Sequence, residues 1–122
     1  MHVLYAESTG EIELSGTAAD LSRLARRLRG REPILLDRRD DPAPYDRALS
    51  VVTVTLTSGA VHVSVDGDTL RLEGGGRALE LLAANIESVA DADDSAYHLH
   101  IEYPGDEYVA PTSRPLVVAL RS

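Results

Sequence analysis

The sequence has no cysteine, no phenylalanine and no tryptophan, and each absence limits what the chain can be. Without cysteine there are no disulfides and no thiolate nucleophiles or ligands, although this does not decide the cellular compartment. Without the two largest aromatic residues, and with five tyrosines, the core must be built from aliphatic side chains. The chain also lacks a G-x-S-x-G motif or another arrangement typical of a nucleophilic enzyme, so we expect no enzyme.

Long apolar runs are missing as well. No stretch approaches the ~18 consecutive apolar residues that span a bilayer, and the first residues lack the basic and apolar regions of a signal peptide. We therefore expect a cytoplasmic protein without a membrane partner. Its 122 residues predict a single domain over 1–122, with an irregular loop at about 30–47 that is rich in proline and charge.

The net charge of −8 is distributed unevenly along the chain. Residues 1–61 carry nine acids and eight bases, whereas residues 62–122 carry eleven acids and four bases. An acidic surface repels nucleic acids and anionic membranes, so neither is an expected partner. A basic protein surface is the partner that this charge favours.

Two segments resemble each other at an offset of 58 residues without gaps. Residues 11–28 align with residues 69–86, and each copy has the pattern of a strand, a glycine-containing turn and an amphipathic helix. The identical pairs are Leu14 and Leu72, Gly16 and Gly74, Leu21 and Leu79, Leu24 and Leu82, and Ala25 and Ala83. A duplicated strand–helix unit or the convergence of two similar elements would explain the match.

Local signals predict where the elements begin and end. Thr17 and Asp20 form a capping-box pattern at the first helix, and Gly30 is a helix stop. Strands alternate at 2–7, 11–15, 51–57, 61–65, 69–73, 97–103 and 116–120, with 51–73 interpreted as a three-strand meander. The predicted fold class is α+β, a mostly antiparallel sheet with two amphipathic helices on one face.

The predicted strand from Tyr97 places His98, His100 and Glu102 on one face. Their donors, ~6.5–7 Å apart along a strand, have a spacing that suits a metal, and His62 or Glu73 could add a ligand from elsewhere. The alternatives are a polar face that contacts a partner, and a face that forms cross-strand hydrogen bonds. The face would include polar residues of the other strands: Thr53, Thr55, His62, Ser64 and Arg71.

Three further clusters have simple structural interpretations. The arginines from Arg23 to Arg31 form a ridge, which we interpret as a solvated helix face, with an anionic partner as the alternative. The cluster Asp37–Asp41 has the composition of a solvated loop tip. Gly74–Gly76 begins the second helix, and its spacing does not match a nucleotide-binding motif.

The last quarter of the chain resembles a known family. The segment HLHIEYPGDEYVAPTSRPLVV, after the GEIELSG and DGDTLRLEGG–ALELLAANI units, is similar to the immunity protein 32 family of bacterial polymorphic-toxin systems. This resemblance implies a protein that binds a cognate toxin and blocks it, without a catalytic role. The 30–47 loop has no counterpart in that resemblance.

The function predicted from the sequence is therefore neutralisation of a bacterial protein toxin by binding, with no cofactor. The alternative is a small metal- or ligand-binding domain that uses the His98, His100 and Glu102 strand face. A homodimer that hides this face is a third reading. The predicted partner-binding residues are His98, His100, Glu102, Tyr103, Asp106, Glu107 and Tyr108.

Overall fold

A computed structural model describes residues 1–36, 45–92, 94 and 97–121. Within these ranges the strands are β1 (His2–Tyr5), β2 (Ile12–Gly16), β3 (Ile34–Leu35), β4 (Arg47–Ala48), β5 (Val51–Leu56), β6 (His62–Asp66), β7 (Thr69–Gly74), β8 (His98–Ile101) and β9 (Leu116–Leu120). The helices are α1 (Ala18–Gly30) and α2 (Gly76–Ala90). The predicted α+β class is confirmed.

The strands form two sheets, where the sequence predicted one. The five-stranded sheet has the order β4-β1-β2-β9-β8, and the four-stranded sheet has the order β3-β5-β7-β6. Pairing is mostly antiparallel, as predicted, but β2 pairs parallel with β9 and β5 pairs parallel with β7. Apolar alternation indicates which face of a strand is buried and not which strand lies beside it, so the sequence could not separate the sheets.

The predicted 51–73 meander is wrong in its first connection. β5 lies parallel to β7, with Val52 opposite Leu70, while β6 occupies the other side of β7. The turn around Gly67 does form the predicted hairpin between β6 and β7, and Gly67 has a φ of 58°. β7 is therefore an interior strand of its sheet, with β5 on one side and β6 on the other.

The chain is built from two similar units that exchange one strand pair. The first unit is β1, β2, α1, β3 and β5, and the second is β6, β7, α2, β8 and β9. In each unit a hairpin precedes the helix, but the parallel neighbour of β2 is β9 and that of β7 is β5. The strand orders β1-β2-β9-β8 and β6-β7-β5-β3 therefore correspond, with β4 as an addition. This correspondence supports the duplication.

The ends of α1 agree with the sequence at its start and differ at its stop. Asp20 N donates to Thr17 Oγ1 and Thr17 N donates to Asp20 Oδ2, both at 3.2 Å, which is the predicted capping box. Gly30 remains helical, and the left-handed residue is Arg31 at a φ of 55°. Arg31 N and Glu32 N donate to carbonyls of the last turn, so the helix is closed one residue later than predicted.

Both helices contribute their predicted apolar stripes, except for the exposed Ala18, to one buried cluster that includes both sheets. The fully or almost fully buried helical residues are Leu21, Leu24, Ala25, Leu28, Leu79, Leu82, Ala83 and Ile86. As the composition predicted, the cluster is nearly all aliphatic. Tyr5 is the one aromatic residue among its buried members in the described part of the chain. None of the described helices is long and apolar enough to cross a membrane.

Candidate partner-binding surface

The strand β8 presents its predicted polar face. His98 and His100 are exposed, whereas Leu99 between them is half-buried and Ile101 is fully buried. β8 pairs with β9 and is the last strand of the five-stranded sheet among the described residues. The predicted alternation therefore leaves two imidazoles at a sheet edge, with their ring centroids 5.5 Å apart in an edge-to-face arrangement.

A compact turn, here called the tail turn (residues 102–109), follows β8. Asp106 N donates to Glu102 O at 2.9 Å, Glu102 N donates to Asp106 Oδ2 at 3.0 Å, and Val109 N donates to Asp106 O. These bonds hold the Asp106 carboxylate partly in the turn. Glu102 and Glu107 are exposed, and Tyr103 is 51% exposed. The tail turn is thus an ordered loop with an aromatic ring and two carboxylates on its outside.

Tyr108 connects the tail turn to α2 and to the residue that precedes β6. Its hydroxyl accepts a hydrogen bond of 2.6 Å from Asn85 Nδ2 on α2, and its carbonyl accepts one of 2.7 Å from Val61 N. Partial burial raises the pKa of the Tyr108 phenol and the nearby Asp106 charge raises it further, although the bond from Asn85 acts in the opposite direction. Tyr108 is therefore a neutral, positioned side chain at ordinary pH.

An open groove lies where the tail turn meets the start of α2. This α2 groove has a volume of about 440 Å³. Its lining residues come from three separate segments: Gly59, Ala60, Gly75, Gly76, Arg77, Ala78, Leu81, Glu107 and Tyr108. Two predicted partner-binding residues, Glu107 and Tyr108, belong to it, while the β8 histidines do not.

The segment that contains these features has a family counterpart. Residues 69–121 match the family model described as Immunity protein 32. The predicted resemblance is confirmed over this region, which runs from β7 through α2, β8 and the tail turn to β9. No curated protein and no solved structure matches the chain significantly.

Within the Immunity protein 32 region, the tail turn concentrates negative charge that the described residues do not neutralise. Glu102, Asp106 and Glu107 form no ion pair with any of them. Three other carboxylates of the region are paired: Glu80 and Glu87 with Arg29, and Glu73 with Arg71. Three carboxylates within six residues therefore have no cationic partner among the described residues, and one of them, Asp106, accepts the Glu102 amide.

The arrangement does not assemble the metal site considered from the sequence. His62 lies on β6 directly opposite Glu73 of β7, in the four-stranded sheet, whereas His98 and His100 lie in the five-stranded sheet. No cluster of three or more His, Cys, Asp or Glu side chains suited to a metal occurs in the described part of the chain. The single polar face predicted from all strands is therefore divided between two sheets.

The other clusters fall in different places. In the arginine ridge, Arg27 pairs with Glu32, and Arg29 pairs with two glutamates of α2, whereas Arg23 and Arg26 are exposed. Gly76 begins α2, and its N-cap Gly75 makes no side-chain capping bond. The Asp37–Asp41 cluster lies outside the described residues.

The sequence missed one side of the candidate site. The residues Ala60, Ala78 and Leu81 carry no chemistry that a pattern search would select, because they contribute only shape and apolar area. A signal was nevertheless present in the repeat, since Thr17 and Asp20 of the capping box align with Gly75 and Ala78. The loss of both capping side chains in the second unit marks the position of the groove.

Proposed function

We propose that this chain is an immunity protein that binds a cognate bacterial protein toxin in the cytoplasm and neutralises it as a stoichiometric, non-catalytic inhibitor. The observation that carries the proposal is the match of residues 69–121 to the Immunity protein 32 family. The charge is compatible with it, since the second half of the chain carries most of the net negative charge. Electrostatic complementarity to a basic toxin surface would accelerate their association.

The proposed contact surface is the β8 face together with the tail turn. Its members are His98, His100, Glu102, Tyr103, Asp106, Glu107 and Tyr108. Two features support this choice. The imidazoles are exposed on an edge strand, and the adjoining carboxylates have no ion pairs among the described residues. Asp106 would act mainly by holding the turn, because its carboxylate accepts the Glu102 amide.

A growth-protection assay tests the function and the surface together. Cells that produce the cognate toxin domain should grow when the chain is co-produced. Replacing His98, His100 and Glu102 together with Ala should weaken protection while the circular dichroism spectrum and melting temperature stay close to those of the wild type.

The matched control replaces Thr55, Thr57 and Arg71 with Ala, because these exposed residues belong to the other sheet or its edge. This control should protect as well as the wild type. Full protection by the His98/His100/Glu102 variant would eliminate the β8 face as the contact surface. A pull-down at low salt that captures the same toxin domain would provide the physical counterpart of the growth result.

A further inference from the structure

The two units carry equivalent cavities that differ in what fills them. One cavity, of about 250 Å³, lies beside the start of α1, and the α2 groove, of about 440 Å³, lies beside the start of α2. Two lining positions correspond at the offset of 58 residues: Thr17 and Gly75, and Asp20 and Ala78. The repeat therefore provides an internal comparison between two versions of one cavity.

In the first unit, side chains occupy this position. Thr17 and Asp20 cap α1, and Asp20 Oδ2 lies 3.5 Å from the amino group of Met1. In the second unit the residues that correspond to Thr17 and Asp20 are Gly75 and Ala78, so the start of α2 encloses a larger open space. The extra volume of the α2 groove follows from these shorter side chains.

The walls of the α2 groove indicate the chemistry of an occupant. Leu81 is 41% exposed there, and its counterpart in the first unit is Arg23, so the second unit replaces a charged side chain with an apolar one. Arg77 and Glu107 also line the groove and bear opposite charges. Arg77 disfavours a cation inside and Glu107 disfavours an anion. The apolar walls supplied by Ala60, Ala78 and Leu81 favour a neutral, apolar side chain as the occupant.

The surroundings of the α2 groove indicate the charge of the partner. Glu102 and Glu107 are exposed, and neither they nor Asp106 forms an ion pair among the described residues. A partner that inserts an apolar side chain would therefore meet carboxylates around it, and basic residues would complement them. Tight interfaces commonly have this form, with an anchor in a pocket and a polar rim that excludes water.

We propose that the α2 groove is the anchor pocket for the toxin, receiving one apolar side chain that basic residues of the toxin flank. This inference rests on the proposed function and identifies the partner's chemistry at that surface. Leu81 and Tyr108 contact the inserted side chain, and Glu102 and Glu107 pair with the flanking cations. The start of α2 has no capping side chains, so it leaves a space that the capped start of α1 lacks.

Titration calorimetry with the purified toxin domain tests the groove. Leu81→Arg restores the residue type of the first unit, on an exposed helix position that tolerates arginine. Because this arginine would block the pocket of a central anchor, the dissociation constant should rise by at least about tenfold. The matched control is Leu35→Arg, on a leucine that is 86% exposed and lies outside the groove, and it should bind as the wild type does.

A second variant, Ala78→Asp, places the carboxylate of the first unit into the groove. An acid in the first turn favours the helix, but Ala78 is only 8% exposed, so burial of the carboxylate opposes this gain. Binding is therefore measured well below the melting temperature of the variant, where the folded variant should bind the toxin domain more weakly than the wild type. Wild-type affinity for both groove variants, or an equal loss of affinity with Leu35→Arg, would overturn the proposed role of the α2 groove while leaving the proposed function intact. Failure of the wild-type chain to bind would remove both.

Discussion

Arg29 and Glu87 occupy the same position in the two units, 58 residues apart, and they bond to each other across the helix pair. Arg29 Nη2 donates to Glu87 Oε1 at 2.6 Å, and the same guanidinium makes two bonds to Glu80 at 2.8 and 2.9 Å. Equivalent residues of two related units meet only close to the axis that relates them. The two units therefore meet through equivalent residues where α1 packs against α2.

The Arg29 network should make stability depend on acid pH. The hydrogen bonds from Arg29 lower the pKa of Glu80 and of Glu87 below the ordinary value of 4.5. Because the folded values are depressed, their stabilisation is present above that ordinary value and is lost as the pH falls through the folded values. Thermal unfolding of Arg29→Met should show a lower melting temperature than the wild type at neutral pH, with the difference shrinking in acid.

Arg23→Met is the control for this measurement, because Arg23 is exposed and forms no ion pair among the described residues. Its melting curve should follow the wild type at every pH. A difference between Arg29→Met and wild type that stayed constant down to strongly acid pH would contradict the ion-pair explanation.

The capping box at α1 should contribute measurably to stability. Thr17→Ala removes the hydroxyl that accepts the Asp20 amide, and losses of this kind cost about 1 kcal/mol in the free energy of unfolding. Chemical denaturation would measure the cost. Thr57→Ala, at an exposed threonine whose hydroxyl makes no such bond to the described residues, should change it by less than about 0.5 kcal/mol. Equal effects of the two variants would argue against the cap.

The exchanged strands should make the two units unfold together. Leu24 and Leu82 are equivalent and fully buried, so Leu24→Ala and Leu82→Ala should each cost about 2–5 kcal/mol. Because β5 pairs with β7 and β9 with β2, each variant should shift one common transition, seen alike by circular dichroism and tyrosine fluorescence. Leu81→Ala, at the exposed neighbour, should shift it little. Two separate transitions, with only one moved, would show independent units.

The carboxylates of the tail turn should control the rate of toxin association. The double variant Glu102→Gln, Glu107→Gln removes two charges that no described residue neutralises, so its association rate should fall at low salt and depend less on salt than that of the wild type. Stopped-flow binding would measure it. Asp66→Asn with Asp68→Asn makes the same charge change in the exposed β6–β7 turn and should have the smaller effect. A larger loss of association rate in the Asp66/Asp68 variant than in the Glu102/Glu107 variant would show that the tail turn is not the contact surface.

Local features of the fold could be predicted from the sequence, and long-range ones could not. The β1–β2 hairpin, the Thr17 cap and the apolar stripes depend on neighbouring residues, and the structure contains all of them. The division into two sheets depends on β9 reaching β2 and β5 reaching β7, and alternation contains no information about those pairings. The helix stop moved from Gly30 to Arg31 because bonds to the last-turn carbonyls, rather than residue type, decided it.

The candidate site also has one part that could be predicted from the sequence and one part that could not. The polar face of β8 follows from alternation within one strand, so His98 and His100 could be chosen from the sequence. The α2 groove combines the Gly59–Ala60 turn, the first turns of α2 and the tail turn, which are distant in the chain. Only the tertiary structure brings these segments together, which is why Leu81 was not selected.

The central claim is that the chain blocks its toxin by binding it stoichiometrically. The most direct test measures the activity of the purified toxin domain while the chain is added in increasing molar ratio, at toxin concentrations well above the dissociation constant. We predict a linear fall in activity that ends at a fixed whole-number ratio of chain to toxin. Full activity at excess chain, or complete loss at a small fraction of equivalence as an enzyme acting on the toxin would cause, would contradict the account.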